Sequence, residues 1–426
     1  MKASKMRLSF VNCGLKALAL ITFVLGMLTA IVHWNGAGHF CDLGLRYNEL
    51  CCTWKGVNPF HVWDGTKTCE GFCGIKRPDR VWRASAPGVR EVHAYPAWHT
   101  TYLIWMPLFS WHEIWWGYSV LSMFLLVALF VCFYLNQPHE TDLRVWYWCA
   151  ISSIAPYVPS AYLYGNYGII LAALAAVFIY LYQRKYDVWA GIVWSLMMIK
   201  PQVSFLIVIP CLLQRRFVVV IVAAAVCCLA LIPPSVIYGE SPIDLVLQIP
   251  EIGKPYVGRL TCGATHHLLK AMFAVAGTPG IWLWTFGVVA LSTFATYKIR
   301  HVDSAFALFA PVFVASTLWT YSSPYDATVL WASVCGIYSM LRYYRGPLRA
   351  HTIVKCASLV VCVCSLFTGA WTVFVFGLSL FHPMGIGWMY WIMSVVFLVT
   401  FFATSLIMPF GFAQVRVARA LWGSQP

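Results

Sequence analysis

Between Gln183 and Arg216 the chain reads QRKYDVWAGIVWSLMMIKPQVSFLIVIPCLLQRR, with Lys200-Pro201-Gln202 at its centre. Basic doublets, Arg184-Lys185 and Arg215-Arg216, enclose two apolar runs, Val188 to Ile199 and Val203 to Leu213. Each run is shorter than the roughly 20 residues a helix needs to cross a bilayer. Basic residues at both ends mark both ends as cytoplasmic, so the chain enters the membrane and comes back. Lys200 then stands at the turning point. A lysine there is costly in hydrocarbon unless it lines a water-filled cavity or meets an anion. The stretch therefore predicts a recessed, outward-facing cationic site between two short or broken helices. The competing expectation is a lysine that snorkels to the surface on its own methylene stem.

The rest of the chain fits that setting. Of its 426 residues 61% are hydrophobic and 10% charged, and the mean hydropathy is +0.73. Repeated apolar runs of near-spanning length predict an all-α, polytopic membrane protein. The net charge of +14 is dispersed between apolar segments, which excludes a nucleic-acid surface and marks topology signals and lipid-headgroup contacts instead. Most of the 16 cysteines lie in apolar runs, where cysteine acts as a small hydrophobe. Cys41, Cys51, Cys52, Cys69, Cys73 and Cys262 fall in segments expected outside, and whether they pair is open. Cys69-x3-Cys73 has no second ligand pair at finger spacing, so no metal site is read from it.

Taken in order, Lys2, Lys5 and Arg7 precede an apolar run to about Val32, read as an uncleaved first helix with its amino terminus inside. A large first outer loop, about 35–112, is rich in tryptophan and tyrosine and is expected along the membrane interface. Further spans alternate, with a second outer loop at about 238–277 and a basic cytoplasmic loop from Arg342 to Lys355. The last two spans turn at Phe381-His-Pro-Met384 and lead to a tail with Arg416 and Arg419. This predicts one integral membrane domain over 1–426 with about twelve transmembrane helices and both termini cytoplasmic. The short outer turns 162–167, 321–326 and 381–387 carry no Lys or Arg, whereas the short cytoplasmic loops do. No internal repeat is visible.

That topology collects the unusual polar residues on one face: Asp42, Gly165-Asn166, Lys200 with Gln202, His266-His267 and Tyr325-Asp326. A carboxylate and an ammonium converging on a membrane-facing cavity suit transfer chemistry on a lipid phosphate. The carboxylate takes a proton from an acceptor hydroxyl, and the ammonium holds a phosphate leaving group. The plainer expectations are a solvated loop acid or helix cap for Asp42, and a cap on a helix starting at Ala327 for Asp326.

Four elements occur in a fixed order: Phe40-Cys-Asp42 with Tyr47, then Trp54-Lys-Gly56-Val-Asn-Pro59-Phe60, Tyr95-Pro96-Ala-Trp98, and Gly165-Asn166 followed by Lys200-Pro201 and a basic doublet. Over roughly residues 35–345 this ordered set resembles glycosyltransferase family 87. The resemblance implies a GT-C fold and transfer of a sugar, typically mannose, from a polyprenyl phosphate to a lipid or glycan acceptor outside the membrane. It implies a single inverting displacement, with Asp42 as general base and Lys200, with Gln202 nearby, on the donor phosphate. Asn166, Tyr95, His266, His267, Tyr325 and Asp326 are its further candidate substrate contacts. Partners are then the donor, the acceptor and membrane lipids, with no cofactor. The active site would face the periplasm or exterior of the cytoplasmic membrane. Arg46, Arg80, Arg83 and Arg259 are candidate helper cations, or else headgroup contacts and loop ion pairs. The chain departs from the pattern at Tyr95-Pro96, which lacks a second proline. It also departs at His266-His267, where relatives carry Asn-Gln-Ser, and at Tyr325-Asp326, where they place a histidine. These departures leave the sugar and the acceptor open. Two rival classes share the gross features, a lipid-linked glycan transporter or flippase and a glycan polymerase or ligase. The first would more often show two similar halves.

Overall fold

A computed structural model describes helical pieces between residues 9 and 24, residues 41–64, residues 96–249 apart from 155–157, 159–160 and 163–164, and residues 264–319 and 324–343. Tyr95, Arg80, Arg83, Arg259, the last two expected spans and the basic tail lie outside the described residues. The regular secondary structure among these residues is helical, and no strand occurs among them. The helices are α1 (Cys41–Trp54), α2 (Pro59–Asp64), α3 (Trp98–Leu103), α4 (Trp111–Leu135), α5 (Thr141–Ile154), α6 (Gly168–Gln183) and α7 (Asp187–Met197). They continue with α8 (Pro201–Ser204), α9 (Val208–Leu213), α10 (Phe217–Leu229), α11 (Ile232–Tyr238), α12 (Ala264–Ile299), α13 (Ala305–Ser316) and α14 (Leu330–Tyr343).

Two helices among the described residues are long and apolar enough to cross a membrane: α4, and the continuous stretch Phe217–Tyr238 formed by α10 and α11. Other apolar runs that hydropathy alone counts as spans fold into shorter helices: 16 residues in α6, 11 in α7 and 12 in α13. Helix length among the described residues thus supports two of the about twelve expected spans, and the last two expected spans lie outside those residues. Residues 264–277, expected in the second outer loop, are already helical as the start of α12, which runs on through Pro279. The polar His266, His267 and Lys270 invite a loop reading, yet Ala, Leu and Met around them are strong helix formers.

The core is built around α6, which packs on α4, on α7 and on a 3-10 turn, Pro324–Val329. The α13 and α14 helices lie against each other, with Ser333 Oγ donating to the Ala310 carbonyl at 2.9 Å. Trp331 of α14 is fully buried; its indole donates to the Ala172 carbonyl of α6 at 3.0 Å and its ring meets Phe133 and Phe306.

The stretch Gln183–Arg216 folds as a hairpin. Helix α7 runs in, turns at 198–200, and α8, a 3-10 turn (Phe205–Ile207) and α9 run back. Pro201 is the first residue of α8, where its missing N–H leaves no bond unmade. A broken helix orphans carbonyls, and in an apolar bundle each must find a donor. Three indoles supply them: Trp98 to Met198 O at 2.8 Å, Trp319 to Gln202 O at 2.7 Å, and Trp194 to Ser204 O at 3.0 Å. At the opposite end of α7 the two basic doublets meet. Arg216 pairs with Asp187 and covers the Tyr182 ring at 3.7 Å, and Gln214 binds both Tyr182 Oη (3.0 Å) and the Arg300 carbonyl (3.1 Å).

Candidate active site

The site forms where α1 presses on the turn that leads into α6. That turn is closed by Gly165 N–H to Tyr162 O at 3.0 Å and Asn166 N–H to Ala161 O at 2.9 Å. Gly165 sits at φ +61, and a Cβ placed on it would lie 2.6 Å from Leu43 Cβ. Only a residue without a side chain gives both the left-handed turn and this approach. Leu43 follows Asp42 in the first turn of α1, so the contact sets Asp42 and Asn166 side by side. Asn166 Nδ2 donates to Asp42 Oδ2 at 2.5 Å. On its other side Asn166 Oδ1 accepts from Lys200 Nζ and from the Gly168 N–H, both at 3.2 Å. Lys200 Nζ in turn forms a buried ion pair with Asp326 Oδ1, from the 3-10 turn Pro324–Val329.

Exposure separates the members of this chain of contacts. Asn166, Lys200 and Asp326 are 2%, 1% and 0% exposed, whereas Asp42 is half-buried. Lys200 therefore does not snorkel; its charge is held inside against a carboxylate, as low dielectric demands. Asp42 Oδ2 is held by Asn166, and Asp42 Oδ1 takes no hydrogen bond among the described residues. One carboxylate oxygen is thus fixed by an amide donor, and the side chain as a whole is half-buried.

The surroundings are neutral or charge-balanced. Tyr118 Oη donates to the Asn166 and Ala161 carbonyls, at 2.8 and 3.2 Å. Arg46, one turn along α1 from Asp42, pairs with Glu49 at 2.9 Å, both buried. His99 of α3, in the segment expected as the first outer loop, bonds the hydroxyl of Tyr167 at 3.0 Å. Burial first, and the charge of Arg46 second, hold its imidazole well below the usual histidine range, so it is neutral at physiological pH. A second polar cluster joins the Gly56-Val-Asn58-Pro59 segment to Glu240 and Gln248, in the segment expected as the second outer loop. Glu240 there accepts from Asn58 Nδ2 at 2.9 Å and Gln248 Nε2 at 2.7 Å, and its carboxylate lies 3.0 Å from His61 Nε2.

Of the residues singled out from the sequence, Asp42, Asn166, Lys200 and Asp326 come together. Gln202 contributes its carbonyl to Trp319, and its side chain makes no hydrogen bond to the four. The side chains of His266, His267 and Tyr325 lie outside the described residues; their backbones belong to α12 and the 3-10 turn. His99, Tyr167, Tyr118, Trp194 and Trp319 escape a sequence reading, and Trp98 is singled out only as part of a motif, not as a donor to the hairpin. Aromatic residues make up 16% of the chain, so one more near a motif carries little signal, although His99 directly follows Tyr95-Pro96-Ala-Trp98.

The fold and the cluster define an apolar helical membrane protein with a buried charged cluster at one end of its bundle. The chain belongs to glycosyltransferase family 87: the model of that family matches residues 95–324, more than half of the 426. It is therefore a glycosyltransferase. No curated protein and no solved structure matches it. The matched stretch contains Asn166 and Lys200, while Asp42 precedes it and Asp326 follows it. It is the hydrogen bond from Asn166 that ties Asp42 to the family segment.

Proposed function

We propose that the protein is a membrane glycosyltransferase of the GT-C type that moves a sugar, mannose being the first expectation, from a polyprenyl phosphate to a lipid or glycan acceptor on the extracytoplasmic face. Asp42 is the general base and Lys200 the cation on the donor-phosphate side. The observation that carries this reading is the direct line from Asp42 through one asparagine amide to a buried lysine. It supplies a proton acceptor and a positive charge on the two sides of one amide, the first half-buried and the second buried. In the reaction Asp42 Oδ1 takes the proton of the acceptor hydroxyl, whose oxygen bonds the anomeric carbon. The bond from that carbon to the phosphate oxygen breaks on the opposite face, and its electron pair leaves with the polyprenyl phosphate. The configuration inverts.

Charge balance adds a requirement. Among the described residues the cluster sets Lys200 against Asp42 and Asp326, one positive charge against two negative. A phosphodiester entering beside it brings a further negative charge, so a second cation must face the donor. Arg80, Arg83 and Arg259 are proposed for that part. Tyr95, His266, His267, Tyr325 and Gln202 are proposed as substrate contacts on the family resemblance, and Asp326 as the counter-ion of Lys200.

The test is transfer by purified protein from a panel of polyprenyl-phosphate sugars, with wild type and Asp42→Asn side by side. The expected result is transfer from one of these donors and a loss of about 10²–10⁴-fold in the variant, with donor binding retained. Transfer from nucleotide sugars alone would overturn the donor class, and an active Asp42→Asn would overturn the base.

A further inference from the structure

The amide of Asn166 can be oriented from chemistry alone. An ammonium and a backbone N–H only donate, and Lys200 Nζ and the Gly168 N–H both reach the same atom of this side chain. That atom must be the oxygen. The remaining NH₂ is thereby turned to Asp42 Oδ2, 2.5 Å away, and cannot flip without breaking three bonds. Asn166 is buried and its own backbone is held by the Ala161 carbonyl and by Tyr118. It has no rotational freedom to spend on a mobile substrate. Asp42, by contrast, is half-buried at the start of α1, and its carboxylate has no other hydrogen bond among the described residues.

From these contacts we infer that Asn166 is the positioning residue of Asp42 rather than a substrate contact. Its amide, fixed in sense by Lys200 and Gly168, holds Oδ2 and leaves Oδ1 as the atom that receives the acceptor's proton. Lys200 and Asp326 then act on the base as well as on the donor, because the buried pair pins the oxygen of the amide. This inference rests on the reading of Asp42 as general base.

Two variants separate the roles. Asn166→Asp has nearly the same shape and keeps an oxygen toward Lys200 and the Gly168 N–H; it loses only the donor to Asp42 and puts a second carboxylate there. Asn166→Ala loses every side-chain contact. Sugar transfer and donor binding are measured for both, with thermal melting as a check on folding. The expected result is a fall in kcat of about ten- to a hundredfold in each, the worth of a hydrogen bond to a charged group. KM for the donor stays within about twofold, and Asn166→Asp is no better than Asn166→Ala. If Asn166→Asp restores what Asn166→Ala loses, the amide serves only to accept from Lys200 and the inference falls. If either variant raises the donor KM and spares kcat, Asn166 is a donor contact and the inference falls again. An active Asp42→Asn overturns the base itself. An inactive Asp42→Asn beside a fully active Asn166→Asp overturns the positioning role alone.

Discussion

Lys200 shows how a single contact changes what a substitution does. From the sequence it is a lone lysine in an apolar hairpin, and Lys200→Met looks harmless to folding. With Asp326 locked against it inside the bundle, the same change leaves a buried carboxylate with its main partner gone. Breaking a buried pair on one side costs about 3–5 kcal/mol, whereas removing both charges is often neutral. Lys200→Met should therefore lower the melting temperature sharply, and Lys200→Met with Asp326→Asn should recover most of it. Transfer should stay low in both, by about a hundredfold or more, because the cation on the donor side is missing in both. Recovery of turnover together with stability in the double variant would make the pair structural only. The place of Lys200 was legible from two basic doublets 30 residues apart, Arg184-Lys185 and Arg215-Arg216. Its partner was not, because Asp326 is 126 residues away and carries no local pattern that names a lysine.

At the scale of elements, the site depends on how α1 meets the turn into α6. Gly165 combines a left-handed backbone with a hypothetical Cβ 2.6 Å from Leu43 Cβ, so Gly165→Ala brings both strain and a push on the first turn of α1. Gly56 separates the two effects. It is also left-handed, at φ +71, but its nearest atom is 3.7 Å from an added Cβ. Each alanine should carry about 1–3 kcal/mol of backbone strain, read as a loss of thermal stability. Only Gly165→Ala should also cut kcat, by about tenfold or more, since a displaced carboxylate is misaligned for proton transfer. Equal kcat losses in the two variants would mean that strain alone, not the position of α1, controls activity. The Gly165-Asn166 and Gly56-x-x-Pro59 elements were visible as motifs, and the structure assigns them to separate clusters. One stands at Asp42 and Lys200, the other at Glu240. That division could not be read from the chain, because both motifs are glycine–asparagine turns and it is long-range packing that sends them apart.

Across the whole molecule, charge and polarity divide between two ends. The turn 165–167, Asp42, Lys200 and Asp326 share one end. Tyr182, Asp187, Gln214, Arg216 and Arg300 share the other. Helix α6 joins them with 16 residues, about 24 Å at the helical rise. The in-and-back path of the hairpin was legible because apolar length and basic punctuation are both one-dimensional signals. Helix length was less so: hydropathy cannot see that indoles satisfy the carbonyls of a broken helix, and such a break lets runs shorter than a full span stay buried. If the basic end is the cytoplasmic one, as the excess of Lys and Arg there implies, the site opens outside. Single cysteines test this in intact cells against the background of the native thiols. Lys55 follows α1 at the site end, and Lys185 and Arg215 lie at the basic end; all three side chains are exposed. A membrane-impermeant maleimide should label Lys55→Cys in intact cells, and should reach Lys185→Cys and Arg215→Cys only after the membrane is opened. All three are surface positions outside the proposed catalytic cluster, so transfer activity in each variant should confirm a native fold. Labelling of Lys55→Cys and Lys185→Cys from the same side would contradict the two-ended arrangement. Labelling of the two basic-end positions alone would turn the molecule over and place the sugar donor on the cytoplasmic face.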